Sequence, residues 1–194
     1  MIKVYTDGGC NNTTNKIGAY ANVIIQDDKI IAQNTQAFEN TTNNVMEMRA
    51  LLSALQYLVK NHLNNEQIEI FADSQYVING LTQWVNGWKK SNWKNNTVAN
   101  KLLWIQLDNF YNKFSNIHFT WVKGHNGNQY NELCDSMCTS SMKKLQLDKT
   151  PQSYVEEKDM ENTLTFNQQV EYDILSKLKK DDLIKLIIQL KNIK

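Results

Sequence analysis

Alternating and helical patterns of apolar residues fill the first 147 positions of the chain. Strand patterns occupy five segments, residues 2–6, 18–26, 30–38, 67–72 and 117–122. Helical stripes occupy five others, residues 44–62, 74–80, 82–89, 97–113 and 129–146. In chain order this is β-β-β-α-β-α-α-α-β-α, which predicts an α/β domain with a five-stranded mixed sheet flanked by helices.

The pattern changes after the first domain, residues 1–147. Residues 148–166 are polar and charged and contain the only proline, Pro151, so they are predicted to be a linker. Residues 167–194 carry two apolar stripes that predict a small C-terminal helical extension. We expect this extension to pack on the first domain, to dock a protein partner or to dimerise. Its lysines are typical of a solvated helix face, which disfavours direct binding of nucleic acid.

Composition limits the class of protein. The 194 residues are 41% hydrophobic, which suffices for one full domain and an appendage. No run approaches the roughly 18 apolar residues of a membrane span, and no signal peptide is expected at the N-terminus. Three cysteines without a C-x-x-C pair favour a reducing compartment, cytoplasm or nucleus, over a disulfide framework or a zinc site. The net charge of +1 does not by itself indicate a partner.

Four carboxylates stand in contexts where a purely structural role is hard to assign. Asp7 and Asp73 each follow an apolar strand, Glu47 lies near a helix start, and Asp135 comes ten positions after His125. Carboxylates without a matching cysteine or histidine cluster are typical ligands of Mg²⁺ or Mn²⁺. Two such ions about 4 Å apart can activate a water and stabilise the oxyanion that leaves a phosphodiester. The pattern therefore favours a metal-dependent nuclease.

At this point the sequence resembles a known family, type 1 ribonuclease H, also called RNase HI. Five segments carry the resemblance in the expected order: Tyr5-Thr6-Asp7-Gly8, Thr42-Asn43-Asn44-x-Met46-Glu47, Asp73-Ser74-Gln75-Tyr76-Val77, the tryptophan–lysine segment 82–94, and Trp121-Val122-Lys123-Gly124-His125-x-Gly127 followed by Asn131-Glu132-x-Cys134-Asp135. The resemblance implies an RNase H-like fold. It also implies an endonuclease that hydrolyses the RNA strand of RNA/DNA hybrids and leaves 5′-phosphate and 3′-hydroxyl ends.

The resemblance also assigns roles to residues of the site. Asp7 is expected to bridge two Mg²⁺ ions, with Mn²⁺ as a possible substitute, and Glu47, Asp73 and Asp135 are expected to complete the site. His125 lies between two glycines and is expected to transfer protons and assist product release.

Substrate contacts are expected from neutral amides and from aromatic and basic side chains, because amides can read the 2′-hydroxyl and aromatic rings can pack on sugars and bases. By resemblance, Asn43, Asn44 and Gln75 read the groove, and Cys10 and Asn12 lie on an RNA-contacting loop. Thr42 and Asn100 match positions that hold a DNA phosphate, and Tyr76 matches one that packs on deoxyribose. The tryptophan–lysine segment resembles the family's basic protrusion, with Trp84, Lys89 and Lys90 as the expected contacts. Such recognition is expected to be nearly independent of sequence.

Departures from the pattern leave alternatives open. The loop of residues 9–17 lacks the usual Gly/Pro-rich sequence, and an arginine that is common near residue 40 is replaced by Asn40. A DNA nuclease or integrase of the same fold, a silent hybrid-binding module and a fragment of a reverse transcriptase are the rival interpretations. A monomer is expected, and both primer removal in DNA replication and R-loop clearance are compatible with the sequence.

Overall fold

A five-stranded sheet organises the protein in a computed structural model that describes residues 1–11, 16–124 and 127–147. Its strands are β1 (Ile2–Cys10), β2 (Gly18–Gln26), β3 (Lys29–Phe38), β4 (Ile68–Ala72) and β5 (Ile117–Trp121). The order across the sheet is β3-β2-β1-β4-β5. The first three strands pair antiparallel, whereas β4 pairs parallel to both β1 and β5. The predicted mixed α/β sheet is confirmed.

The helices alternate with the later strands. They are α1 (Asn43–Lys60), α2 (Gln75–Asn79), a π-helical turn (Gly80–Trp84), α3 (Val85–Lys90), a short turn α4 (Asn92–Asn96), α5 (Lys101–Tyr111) and α6 (Gln129–Leu147). The helices predicted at 74–80 and 82–89 thus form one continuous helical stretch. The helix predicted at 97–113 begins only at Lys101, because Asn100 adopts a left-handed conformation with φ 57°.

Two apolar cores lie on opposite faces of the sheet. The larger lies between the sheet and the helices α1 and α5, and its largest fully buried side chains include Trp104, Leu55 and Ile70. The smaller lies under α6, where Cys134 and Cys138 pack against Tyr5 and the alanines and aliphatic residues of β2. Both thiols are almost fully buried, as their spacing on a helix predicts.

The first strand is longer than its hydrophobic pattern predicts. The pattern places Asp7 at the end of a strand over residues 2–6, but β1 continues through Gly8 and Gly9 to Cys10. The antiparallel partner β2 continues beside it, and Asp7 is paired with Ala21. Glycine pairs interrupt the alternation that marks a strand in sequence, which is why the prediction ended too early. Asp7 therefore lies inside a paired strand.

Residues Met1–Leu147 form one compact unit. The predicted linker and helical extension, residues 148–194, lie outside the described residues. Within the described ranges, no helix is both long and apolar enough to cross a membrane.

Candidate active site

Three carboxylates converge where the sheet meets the N-terminal end of α1. The parallel pairing of β1 and β4 ends with Thr6 opposite Ala72, so Asp7 on β1 and Asp73 directly after β4 follow at equivalent positions. Glu47 approaches from the second turn of α1. One carboxylate oxygen from each of the three lies within 4.8 Å of the others. This separation is suited to shared coordination of a divalent cation.

Glu47 is the most buried of the three, with 9% of its surface exposed. Burial, together with the nearby negative charges of Asp73 and Asp7, raises the pKa of Glu47 to about 9. A carboxyl group in such surroundings is stabilised as an anion only when a cation is close. The electrostatics of the site thus favour a bound metal ion.

Asp135 belongs to the same cleft. The cleft has a volume of about 300 Å³ and is lined by Asp7, Gly8, Gly9, Cys10, Asn11, Asn43, Glu47, Asp73, Asp135 and Met142. Asp135 reaches it from α6, but its carboxylate is not part of the cluster of three within 4.8 Å. The four expected carboxylates therefore line one cleft, with three of them in close contact. His125 lies outside the described residues.

The thiols of α6 hold the backbone of β1 beneath this cleft. Cys138 Sγ donates to the carbonyl oxygen of Asp7 at 3.7 Å, and Cys134 Sγ donates to that of Tyr5 at 3.5 Å. Burial raises the pKa of both thiols, so they remain protonated donors at neutral pH. The sequence gives no local signal for these two contacts, because they join α6 to a strand about 130 residues earlier.

Three residues expected to contact the substrate, Thr42, Asn43 and Asn44, lie at the N-terminus of α1. Asn43 Oδ1 accepts a hydrogen bond from the backbone N–H of Cys10 at 2.9 Å, and both residues line the cleft. Thr42 caps α1 by accepting from Val45 N–H at 3.4 Å. Asn44 lies beside them and is exposed, as is Gln75 at the start of α2. Asn12 lies outside the described residues.

An aromatic cluster joins Tyr76 and Trp84, two of the residues expected to contact the DNA strand. The Tyr76 ring centroid lies 5.9 Å from that of Trp84, which lies 5.7 Å from that of Trp88. Tyr76 Oη also accepts a hydrogen bond from Trp104 Nε1 at 3.2 Å. Trp88 and Trp93 both pack against the larger core. The structure therefore gives these two tryptophans a supporting role in the fold.

The two expected lysines differ in their surroundings. Lys89 Nζ forms an ion pair with Asp108 of α5 at 2.7 Å. Lys90, the next residue, is exposed at the end of α3. Asn100 directly precedes α5. An ion pair reduces the charge that Lys89 can present to a phosphate, so Lys90 is the more available cation of the two.

Comparison with known proteins identifies the family. The sequence matches the RNase H family model over residues 1–143. The chain belongs to the RNase H family. Ribonuclease H of Clostridium botulinum (strain Hall) is 42% identical over 147 residues, which are 73% of this chain and 95% of that protein. Ribonuclease HI of Haemophilus influenzae (strain Rd) is 37% identical over 162 residues, which are 81% of this chain and 98% of that protein.

Solved structures agree on the fold of this RNase H family member. LC9-RNase H1, a type 1 RNase H with the type 2 active-site motif, superposes with a TM-score of 0.65 at 23% identity, over 74% of this chain and 72% of that one. LC11-RNase H1, solved in complex with RNA/DNA hybrid, gives a TM-score of 0.58 at 19% identity, over 75% and 99%. The expected enzyme class, a ribonuclease H that hydrolyses phosphodiester bonds, is confirmed by family membership.

Proposed function

We propose that this ribonuclease H cleaves the RNA strand of RNA/DNA hybrids with two Mg²⁺ ions, independently of base sequence, leaving 5′-phosphate and 3′-hydroxyl ends. The observation that carries the proposal is the cluster of Asp7, Glu47 and Asp73, with one oxygen from each within 4.8 Å of the others. The solved complex of LC11-RNase H1 with RNA/DNA hybrid supports the choice of substrate.

The donor set fits Mg²⁺. All the candidate ligands are carboxylate oxygens, which hard cations prefer, and the buried thiols of Cys134 and Cys138 remain protonated and are bonded to backbone carbonyls. Asp7, Glu47, Asp73 and Asp135 would hold the metal. When bound, Mg²⁺ lowers the pKa of an attacking water and stabilises the leaving 3′-oxygen. Mn²⁺ is the expected substitute, because it accepts the same oxygen ligands.

The residues around the three clustered carboxylates would select the substrate. Because Asn43 Oδ1 is occupied by Cys10 N–H, its amide N–H groups remain to donate to the sugar or base edges of the RNA strand. Asn44 and Gln75 present further exposed amides, and Asn12 is proposed to join them on the RNA-contacting loop. Contacts of this kind read the 2′-hydroxyl and the shape of the hybrid more than its base sequence.

The DNA strand would lie on the surface that carries Tyr76, Trp84 and Lys90. Trp84 and Tyr76 offer aromatic faces, Lys90 offers positive charge, and Thr42 and Asn100 are proposed to hold a phosphate. His125 is proposed to move protons at the cleft and to raise the rate without being essential.

Cleavage of labelled nucleic acids tests the function. Wild type, Asp73→Asn and Asp27→Asn would be assayed with Mg²⁺ on an RNA/DNA hybrid, single-stranded RNA, double-stranded RNA and double-stranded DNA. Asp27 is an exposed carboxylate in the turn between β2 and β3, which makes it a matched control. We expect cleavage of RNA in the hybrid alone, reduced at least about 100-fold by Asp73→Asn and unchanged by Asp27→Asn.

Other outcomes of this assay would contradict the proposal in different ways. Efficient cleavage of double-stranded DNA would preserve the metal site but replace the substrate. Hybrid binding without cleavage in either Mg²⁺ or Mn²⁺ would identify a silent binding module. Activity in Mn²⁺ but not in Mg²⁺ would contradict only the choice of metal in the proposal.

A further inference from the structure

Trp121 donates a hydrogen bond to the backbone of Asp73, one of the three clustered carboxylate residues, and the sequence does not indicate this bond. Trp121 is the last residue of β5 and lies opposite Ala72, the last residue of β4. Its indole Nε1 donates to the carbonyl oxygen of Asp73 at 3.0 Å. The side chain is nevertheless 49% exposed, and it is one of the few large apolar side chains in the described residues with that much exposure. Its polar edge is therefore engaged while a large part of its ring faces solvent.

Asp73 occupies a short junction between two elements. Strand β4 ends at Ala72, and Ser74 already caps α2 by accepting from Val77 N–H at 3.4 Å. Only one residue is left to make the turn, so the direction of its carboxylate depends on how its two peptide groups are held. The backbone N–H of Val122 bonds the carbonyl of Ala72 at 3.0 Å, and the Trp121 indole bonds the next carbonyl.

The same segment also limits the Asp73 side chain. A Cβ placed on Gly124 would lie 2.7 Å from Asp73 Oδ2, so the backbone of residue 124 packs directly against the carboxylate. Residues 121–124 thus contact Asp73 on its carbonyl and on its carboxylate. A hydrogen bond that fixes the peptide of a ligand residue orients the ligand and thereby tunes the affinity of the site.

We propose that Trp121 is a positioning residue for Asp73: its indole N–H fixes the Asp73 peptide and so aims the carboxylate at the metal shared with Asp7 and Glu47. This inference rests on the proposed function only in that Asp73 is a metal ligand. Loss of the N–H leaves the carbonyl of Asp73 to solvent and lets the junction rotate. The consequence is weaker metal binding, because the three carboxylates no longer converge.

The test compares Trp121→Phe with Tyr57→Phe in the full chain. Trp121→Phe keeps an aromatic ring and removes the donor. Tyr57→Phe removes a similar bond, from Tyr57 Oη to the carbonyl of Ile31 at 3.2 Å, but lies about ten residues along α1 from Glu47. Three quantities would be measured: the Kd of Mn²⁺ for the free protein, the Mg²⁺ concentration for half-maximal cleavage, and KM for the hybrid.

We expect Trp121→Phe to raise the Mn²⁺ Kd and the Mg²⁺ requirement about 10-fold, with KM for the hybrid unchanged at saturating Mg²⁺. Tyr57→Phe should change none of the three. A raised KM with unchanged metal binding would overturn the proposal and make the exposed ring a platform for nucleic acid. An unchanged metal Kd would overturn it as well.

Two further readouts keep the test independent of folding and of activity. In the wild type, the indole N–H signal of Trp121, assigned on the wild-type protein itself, should exchange slowly despite its exposure and should shift when Mg²⁺ is added. A rapidly exchanging signal that ignores Mg²⁺ would overturn the proposal even if Trp121→Phe failed to fold. If the wild type did not cleave hybrid at all, the proposed function would fail, while the Mn²⁺ titration would still decide the role of Trp121.

Discussion

The backbone of Gly8 lies directly against the backbone of Glu47. A Cβ placed on Gly8 would overlap the amide nitrogen of Glu47 and the carbonyl carbon of Met46, neither of which can move without moving α1. The close approach brings the second turn of α1 onto β1, and it places the Glu47 carboxylate beside that of Asp7. A residue without a side chain is therefore required at this position.

We expect Gly8→Ala to separate α1 from β1, lowering the melting temperature and weakening metal binding. The physical reason is overlap with backbone atoms, for which overpacking typically costs about 1–3 kcal/mol. Gly9→Ala is the matched control, since a Cβ there would meet no atom within 4 Å. Thermal unfolding of both variants in EDTA checks the prediction, and equal melting temperatures would contradict it.

Glu47 should destabilise the metal-free protein as the pH rises. Its folded pKa is about 9, because burial and the charges of Asp73 and Asp7 oppose ionisation, whereas an unfolded glutamate ionises near pH 4.5. Between these values the folded state binds a proton that the unfolded state has lost. Stability therefore falls with rising pH across the window from about 4.5 to about 9, by at most about 1.4 kcal/mol per pH unit.

Glu47→Gln removes this penalty, since a neutral amide has no proton to lose. In EDTA we expect the variant to be more stable than the wild type, with a gap that widens as pH rises through that window. Added Mg²⁺ should narrow the gap, because it binds the wild type more tightly. Urea unfolding at several pH values measures this difference in the free energy of unfolding. A difference in EDTA that stays constant or shrinks as pH rises would show that Glu47 is not held in an unfavourable environment.

The carboxylates could be predicted as candidate metal ligands because strand ends and a helix start are visible as local patterns in the sequence. The contact between Asp7 and Asp73 follows once β1 and β4 pair in parallel, as the connection through α1 favours. The burial of Glu47 could not be predicted in the same way, since it depends on the close approach at Gly8. Non-local contacts of this kind leave no periodic signal along the chain.

The backbone between α3 and α5 was also beyond prediction. Residues Asn92–Asn96 all have positive φ values, from 47° to 67°. Asparagine tolerates this left-handed conformation, but Trp93 and Lys94 ordinarily do not. The π-helical turn Gly80–Trp84 is similarly set by packing, because Gly80 lies against the ring of Trp104. Trp93 packs on the larger core and Gly80 packs on Trp104, contacts that local sequence preference does not reveal.

The contact between Gly80 and Trp104 gives a further prediction. A Cβ on Gly80 would overlap the indole ring, which is fully buried, hydrogen-bonded to Tyr76 and unable to yield. We expect Gly80→Ala to lower stability by about 1–3 kcal/mol and to weaken hybrid binding through Tyr76. Gly87→Ala meets no atom within 4 Å and lies in α3, so it should be neutral or stabilising. Chemical denaturation of the two variants side by side distinguishes them, and equal effects would be evidence against a rigid contact.

The C-terminus of α1 offers a stabilising change. His62 has φ 58°, its N–H bonds Val59 O at 3.1 Å, and Leu63 N–H bonds Leu58 O at 2.8 Å, which is the pattern of a Schellman motif. Glycine adopts this conformation without steric cost, so His62→Gly should raise the free energy of unfolding by about 1 kcal/mol. Lys60→Gly, inside the helix, should lower it by a similar amount. Two variants that both destabilise would show that the imidazole of His62 contributes more than its backbone costs.

Lys89 and Lys90 should contribute unequally to hybrid binding. Both lysines are exposed, but Lys89 is held 2.7 Å from Asp108, whose side chain is only 13% exposed, whereas no ion pair of Lys90 is found within the described residues. Each lysine that neutralises a phosphate adds about one to the magnitude of the slope of log K against log salt. Lys90→Ala should therefore weaken binding and reduce the slope by about one, and Lys89→Ala should reduce it less.

Asp108→Asn completes the comparison, because it releases Lys89 without removing it. In that background Lys89→Ala should acquire a larger effect on the salt slope than it has in the wild type. Binding would be measured with the Asp73→Asn variant in each case, so that cleavage does not interfere, over a range of salt concentrations. Equal salt slopes for Lys89→Ala and Lys90→Ala with Asp108 intact would mean that the ion pair opens at no cost when the hybrid binds. Both lysines would then reach the phosphates.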